Sequence, residues 1–231
     1  MQFSNAVTTA IDLVVRTDPD LVEIVVLSLQ ISLTAVTIAA LIGLPFGAWL
    51  AIHRFPGRGA VIALLNSFMG LPPVVLGLMV YLLLSRAGPL GEFGLLFTPE
   101  AMVLAQTLLV LPIIAALTRQ TLSDLYREYD EQFRSLRIGP GMGILVLVRE
   151  GRYSLATALL AGFGRASAEV GAVMIVGGNI NHVTRVMTTT IAMETSKGDF
   201  SLALGLGMIL LTIVILVNLI VWFLQGREKQ A

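Results

Sequence analysis

Residues 24–52 read IVVLSLQISLTAVTIAALIGLPFGAWLAI, and the stretch contains no Asp, Glu, Lys or Arg. A helix needs about 20 consecutive, mostly apolar residues to cross the hydrocarbon core of a bilayer. This stretch is long enough to cross with room to tilt, or to bend at Gly43-Leu44-Pro45. It therefore predicts a membrane span and sets the fold class of the chain.

The composition extends that conclusion to the whole chain. Apolar residue types make up 56% of the 231 residues and charged types only 13%, whereas a soluble domain carries about 25% charged residues. Cysteine is absent, which excludes disulfides and thiolate metal sites. We predict an all-α polytopic membrane protein with five transmembrane helices in a single domain, residues 1–231. The predicted spans are 24–52, 61–84, 101–117, 154–176 and 201–224.

The distribution of basic residues predicts the orientation in the membrane. Five spans place the two termini on opposite sides, so the excess of Lys and Arg in cytoplasmic segments can be tested. One side holds ten basic residues and the other four, which predicts an outer N-terminus and a cytoplasmic C-terminus. The ten are Arg54, Arg58, Arg119, Arg127, Arg134, Arg137, Arg149, Arg152, Arg227 and Lys229, and the four are Arg16, Arg86, Arg185 and Lys197.

The N-terminal residues 1–20 are too polar for a span. Their apolar residues recur at helical spacing and are opposed by polar ones, as in an amphipathic helix that lies on the outer membrane interface. A frayed terminus is the alternative. The apolar positions are Phe3, Val7, Ala10, Ile11 and Val14.

Residues 127–153, REYDEQFRSLRIGPGMGILVLVREGRY, form a charged segment in this apolar chain. Together with the residues before it, the segment predicts a helix, a glycine-rich turn at 139–143 and a second short helix. The first helix carries an apolar face, which we expect to dock on a cytoplasmic partner; a solvated connector is the alternative. That face consists of Leu122, Leu125, Tyr129, Phe133 and Leu136.

Arg165 and Glu169 are charged residues within the predicted fourth span. An ionised side chain at the centre of a membrane helix costs about 2.5–3.5 kcal/mol on insertion scales, and the i, i+4 spacing lets the two form an ion pair. The pair is either a gate or substrate contact or a structural link between helices. Asn66 and Gln106 are expected to form hydrogen bonds between helices.

Prolines and glycines interrupt the predicted second and fourth spans. Such residues suit a pathway or a moving gate, because they free backbone groups and let helices approach closely. Ordinary packing in a membrane is the alternative. The candidate pathway or gate residues are Pro72, Pro73, Gly77, Arg165, Glu169, Gly177, Gly178 and Asn179.

Three segments together resemble one family of transport proteins. Glu131-Gln132-Phe133-Arg134-Ser135-Leu136 and the glycine turn after it are similar to the EAA loop of ABC importer permeases, although the family glycine aligns with Arg137. GFGRASAEVGAVMIVGGNI, residues 162–180, and MGLPPVVLGLMVYLLLSRAGPLG, residues 69–91, resemble the oxyanion permeases for molybdate, tungstate and sulfate, most closely those for tungstate.

The resemblance implies a type I importer permease. Two copies form the pore, a cytoplasmic ATPase docks on the 120–150 coupling loop, and an extracytoplasmic oxyanion-binding protein delivers the substrate. The chain itself binds no cofactor, because the resemblance assigns ATP and Mg²⁺ to the partner. A tungstate dianion is repelled by Glu169, which favours a structural ion pair there. The implied coupling residues are Glu131, Arg134, Ser135, Leu136, Gly139, Pro140 and Met142.

The sequence offers no recognised catalytic or nucleotide-binding constellation. It has no GxxxxGK[ST], HExxH or GxSxG motif, and its two histidines, His53 and His182, are predicted on opposite sides of the membrane. We therefore predict no catalytic residues, no metal site and no nucleic-acid partner. We expect the chain in the prokaryotic cytoplasmic (inner) membrane. Alternatives to a tungstate permease are a molybdate or sulfate permease of the same group and a stand-alone anion channel or secondary carrier.

Overall fold

A computed structural model describes residues 19–226, and all regular structure in that range is helical. The predicted interfacial helix of residues 1–20 lies almost wholly outside the described residues. The helices are α1 Pro19–Ile52, α2 Arg58–Met69, α3 Pro73–Leu84, α4 Pro99–Ser135, α5 Pro140–Glu150, α6 Arg152–Ser167, α7 Gly171–Gly177, α8 Met187–Lys197 and α9 Phe200–Gly226, with a 3₁₀ turn at Gly91–Phe93.

Three of these helices are long and apolar enough to cross a membrane unaided, namely α1, α4 and α9. The helix α4 has 37 residues, a length of roughly 55 Å at 1.5 Å per residue. Because the apolar core of a bilayer is only about 30 Å thick, one end of α4 must project from the membrane. That end carries residues 120–135, so the first half of the predicted charged loop is a continuation of the third span.

Contacts between α1 and α4 show that these helices run in the same direction. Thr107 bonds to the carbonyl of Ala35, Gly47 lies against Ala115 and Thr118, and Ser123 bonds to the carbonyl of Ala51. The residue numbers rise together along both helices. The chain between them must therefore return across the membrane, which assigns a crossing to α2 and α3.

The crossing made by α2 and α3 is sharply bent. The two helices meet at an angle of 100°, and each has 12 residues, about 18 Å of helix. Pro72 lacks the N–H that would continue α2, and Pro73 takes the first helical position of α3, where a missing N–H costs nothing. The predicted second span, 61–84, is thus two helices joined at its prolines.

The predicted fourth span is also bent, by 57° between α6 and α7. Its two parts still form one crossing antiparallel to α4, because residue numbers rise along one and fall along the other. The contacts are Gly151 with Thr121 and Leu125, Gly162 with Val110 and Ile114, and Gly177 with Met102. After α7 the chain turns back, because the Thr188 hydroxyl donates to the carbonyl of Glu169 at 2.8 Å. The helix α8 therefore begins at the depth of the bend, a re-entrant helix that the sequence did not predict.

Glycines allow the closest approach between α1 and α4. A Cβ at Gly47 would lie 2.6 Å from the carbonyl oxygen of Ala115 and 2.8 Å from Cβ of Thr118. A Cβ at Gly43 would lie 3.2 Å from the Ile114 side chain. The Gly43–Gly47 pair thus lets two backbones pack in direct contact, as small residues do in membrane helices.

We expect Gly47→Ala to destabilise the protein by about 1–3 kcal/mol, the usual effect of overpacking. The matched control is Gly207→Ala in α9, where an added Cβ meets nothing within 4 Å and where alanine favours the helix by up to about 1 kcal/mol. Thermal unfolding of both variants in detergent is the measurement. Equal melting temperatures would show that the α1–α4 contact is looser than described.

Candidate functional site

The charged segment forms a hairpin whose apolar face is covered by the protein itself. Leu122 and Phe133 of α4 and Leu147 of α5 are buried, and they pack with Ala48 and Ala51 of α1. The expectation that the whole apolar face docks on a partner is therefore wrong for these positions. The cause is that α1 and α5 both pack against this face of α4 and cover it.

Three apolar side chains at the tip of this hairpin are left uncovered. Leu136 is 70% exposed, Met142 61% and Leu145 65%. They lie on either side of the turn between α4 and α5, among charged residues. We call Leu136, Met142 and Leu145 the apolar tip.

The other predicted coupling residues surround the apolar tip. Glu131, Arg134 and Ser135 are exposed; Arg134 forms an ion pair with Asp130 at 2.7 Å, and the Ser135 hydroxyl donates to the carbonyl of Gln132. Gly139 precedes α5, and Pro140 is its first residue. All seven predicted coupling residues are thus in one hairpin turn.

The turn itself depends on Arg137 rather than on Gly139. Arg137 has φ +52°, in the left-handed region, and the amide of Ile138 donates to the carbonyl of Phe133 at 2.9 Å. Gly139 has φ −71°, which any residue can adopt. Arg137 therefore holds a left-handed conformation that glycine would adopt more easily.

We expect Arg137→Gly to raise the melting temperature by about 2–4 °C, because glycine relieves a left-handed strain of roughly 1 kcal/mol. The control is Arg134→Gly, three positions earlier, where the backbone is helical. There glycine costs about 1 kcal/mol, so the melting temperature should fall. Thermal unfolding of the two purified variants compares them directly, and shifts of the same sign would contradict the assigned turn.

The bends of the second and fourth spans lie against each other. A Cβ at Gly77 of α3 would be 2.7 Å from Cα of Ala172 in α7, and one at Gly171 would be 2.8 Å from the Val74 side chain. Pro72 and Pro73 directly precede this contact. The structure therefore brings Pro72, Pro73 and Gly77 close to the Glu169 bend.

Arg165 and Glu169 form an ion pair across the bend of the fourth span. Arg165 Nη1 lies 2.9 Å from Glu169 Oε2, with the Arg165 side chain 31% exposed and that of Glu169 only 3%. The second carboxylate oxygen, Oε1, accepts from the backbone N–H of Ala172 at 3.0 Å. Glu169 thus ties the end of α6 to the first turn of α7.

Gly177, Gly178 and Asn179 lie at the far end of α7, away from the bends. Gly177 packs on Met102 and Gly178, at φ +72°, on the ring of Phe97. Asn179 accepts from the Thr189 hydroxyl at 2.8 Å. These residues therefore shape the turn that leads into α8 and do not meet Arg165 or Glu169.

Sequence reasoning missed the threonines that hold the re-entrant segment. Thr184 and Thr189 are fully buried; the Thr184 hydroxyl donates to the carbonyl of Gly177 at 2.6 Å, and Thr188 reaches Glu169. The available signal was the run HVTRVMTTT, residues 182–190, in which hydroxyls recur between two apolar stretches.

The two expected interhelical amides have different environments. Gln106 is buried and donates to the carbonyl of Ala166 at 3.1 Å, as predicted. Asn66 is exposed on α2, and its side-chain amide has no hydrogen bond within residues 19–226. An amide needs a partner in a membrane, so this face of α2 is suited to contact water or another chain.

An ion pair ties the start of α1 to the turn before α8. His182 Nδ1 lies 2.9 Å from Glu23 Oε2, and ligand atoms of Asp20, Glu23 and His182 lie within 4.8 Å of one another on the exposed surface. The His182 ring donates this hydrogen bond to the Glu23 carboxylate, which raises the pKa of His182 above its usual value. Sequence reasoning assigned no contact to these residues, which are distant in the chain.

Comparison with known proteins gives the family. Residues 43–229 match the family described as the binding-protein-dependent transport system inner membrane component. A probable anion ABC transporter permease protein of Haloferax volcanii is 44% identical over 86% of this chain and 88% of its own length.

Two further relatives have named substrates. The tungstate uptake system permease protein TupB of Peptoclostridium acidaminophilum is 41% identical, over 94% of this chain and 95% of its own. The molybdenum transport system permease protein ModB of Azotobacter vinelandii is 28% identical, over 84% of this chain and 90% of its own.

Proposed function

This chain belongs to the family of binding-protein-dependent transport system inner membrane components, and from that premise we propose that it is the permease subunit of an ABC importer for tungstate. Its role is transport and not catalysis. The observation that carries the substrate assignment is the match to the tungstate permease, which spans nearly all of both chains and exceeds the identity to the molybdate permease.

The permease of an ABC uptake system works with an ATPase and a substrate-binding protein. We propose that the ATPase binds the apolar tip, because exposed apolar side chains rimmed by charges are typical of a protein contact site. The surrounding coupling residues are Glu131, Arg134, Ser135, Gly139 and Pro140. ATP and Mg²⁺ belong to that partner, and this chain supplies the surface it moves.

The chain is a multi-pass membrane protein, and we propose that its N-terminus faces outward. In support, the end of α1 and the hairpin lie at the same end of the bundle, since His53 and Arg54 line one cleft with Tyr126 and Phe133. Basic residues concentrate in those segments, as cytoplasmic segments require. This orientation puts the apolar tip in the cytoplasm of a prokaryotic cell and the Glu23–His182 ion pair outside.

We propose that the two contacting bends act as the moving gate and that a second copy of the chain completes the pore. Helices broken at Pro72-Pro73 and at Glu169 can change their angle without disrupting a continuous helix. The two bends are coupled to each other, because Gly77 packs on Ala172 and the Arg165–Glu169 pair spans the second bend. The movement of the hairpin reaches the second bend through α6, which connects them directly.

Uptake of radiolabelled tungstate tests the substrate assignment. The permease, its ATPase and its binding protein are expressed together in cells that lack their own oxyanion importers, with and without a tenfold excess of unlabelled molybdate or sulfate. We expect ATP-dependent tungstate uptake that molybdate inhibits weakly and sulfate does not. Stronger uptake of molybdate would transfer the assignment to that anion, and uptake without the ATPase would indicate a channel or carrier.

A further inference from the structure

A small polar cavity lies where α1, α4, α6, α8 and α9 meet, beside the bend of the fourth span. It offers about 10 Å³ for the centre of a water-sized molecule, close to the minimum that holds one water. The polar residues around it come from four helices that sequence reasoning never brought together. They include Ser28, Ser32, Gln106, Ser167 and Thr188.

Two buried polar atoms of this lining lack a hydrogen-bond partner among the described residues. They are Oε1 of Gln106 and Oγ of Ser167. Gln106 is only 4% exposed. A buried polar atom without a hydrogen bond is destabilising, so two such atoms beside one cavity indicate that a polar occupant bonds to both.

The orientation of the Gln106 amide is fixed by its other end. Its Nε2 donates to the carbonyl of Ala166 at 3.1 Å, and a flipped amide would set two acceptors against each other. Oε1 therefore needs a donor. Ser28 cannot be that donor, since its hydroxyl already donates to the carbonyl of Ile24 and accepts from the N–H of Met187.

We propose that one water molecule occupies this cavity and bridges Gln106 Oε1 to Ser167 Oγ. Water matches the volume, donates to the amide oxygen and can donate to or accept from the hydroxyl. A metal cation would also contact both oxygens, but no carboxylate lines the cavity to compensate its charge. The carboxylate of Glu169, two residues after Ser167, is bonded to Arg165 and to the backbone N–H of Ala172.

The bridging water links the third span to the bend of the fourth span through hydrogen bonds. The carbonyl of Ala166 accepts from the N–H of Glu169 at 3.2 Å as well as from Gln106, so the amide braces the last turn of α6. Through the water, Gln106 is also hydrogen-bonded to the next residue, Ser167. The site is independent of the substrate assignment, because it involves only the packing of this chain.

The variant Ser167→Ala tests the proposal by the sign of its effect on the melting temperature. With the water bridge, losing the hydroxyl lowers the melting temperature of the full-length protein in detergent by about 2–4 °C. In a dry cavity the same change removes an unpaired polar atom, so the melting temperature stays equal or rises. The control is Ser67→Ala in α2, whose hydroxyl is exposed and donates only to its own helix.

Two further measurements identify the occupant. A high-resolution structure should show density at roughly 2.7–3.2 Å from both oxygens, and its absence would overturn the proposal. The melting temperature should be the same in sodium, potassium and choline chloride at equal ionic strength. Stabilisation by sodium or potassium alone that disappears in Ser167→Ala would assign the cavity to a cation instead of water.

Discussion

The Leu136→Asp variant is expected to lose transport by roughly 30-fold or more, the effect of removing a contact worth about 2 kcal/mol at the centre of an interface. Leu136 is 70% exposed at the turn of the hairpin, so the change removes no internal packing. A carboxylate there must be desolvated when the ATPase binds, which weakens the complex. The measurement is ATP-dependent uptake in cells, with membrane insertion checked by the amount of folded permease.

The matched control is Leu136→Met, which keeps an apolar side chain of similar volume. Uptake by this variant should stay within about twofold of the unchanged protein. If Leu136→Asp transports normally, the apolar tip does not contact the ATPase. If both variants fail to fold, Leu136 is required for the stability of the hairpin. That result would contradict the exposed position assigned to Leu136.

The Arg165→Gln variant is expected to have the largest effect on stability. It leaves the Glu169 carboxylate, 3% exposed, with the N–H of Ala172 as its one hydrogen bond in the described structure. Removing one partner of a buried ion pair costs about 3–5 kcal/mol, which lowers the melting temperature by roughly 6–20 °C for a chain of this size. Thermal unfolding in detergent measures it.

The double variant Arg165→Gln/Glu169→Gln separates the pair from either residue alone. It removes both charges, and the new amide can still accept a hydrogen bond from the N–H of Ala172. We therefore expect the decrease in melting temperature to be at most half of that caused by Arg165→Gln. Arg86→Gln, a change of the same type at an exposed residue, should have no effect. A double variant that is no more stable than Arg165→Gln would argue that Arg165 acts through another contact.

The crossings could be predicted from the sequence because they depend on a property of consecutive residues. Long apolar runs mark α1, α4 and α9, and Pro72-Pro73 marks the position of the first bend. The second bend has no proline, so the residues next to it in the sequence do not predict it. It depends on Glu169, whose two oxygens reach Arg165 and Ala172, and such a double contact is visible only in three dimensions.

In the coupling segment, too, some features follow from the sequence and others only from the packing. Its charges, its turn and its second helix follow from residue order, and all seven predicted residues lie in one hairpin. The identity of the uncovered residues does not follow, since periodicity gave Leu122, Phe133 and Leu136 equal weight. The packing of α1 and α5 against α4 buries the first two and leaves Leu136 exposed. Likewise, the positive φ of Arg137 could not be expected where a glycine stands two residues later.

The most direct test of the central claim is the mass of the intact complex, measured after this chain and its ATPase are purified together in mild detergent. We predict a mass equal to two copies of this chain plus two ATPase subunits, retained by Leu136→Met and lost by Leu136→Asp. A stable oligomer of this chain that never holds an ATPase, under conditions where the unchanged protein transports tungstate in cells, would contradict the account.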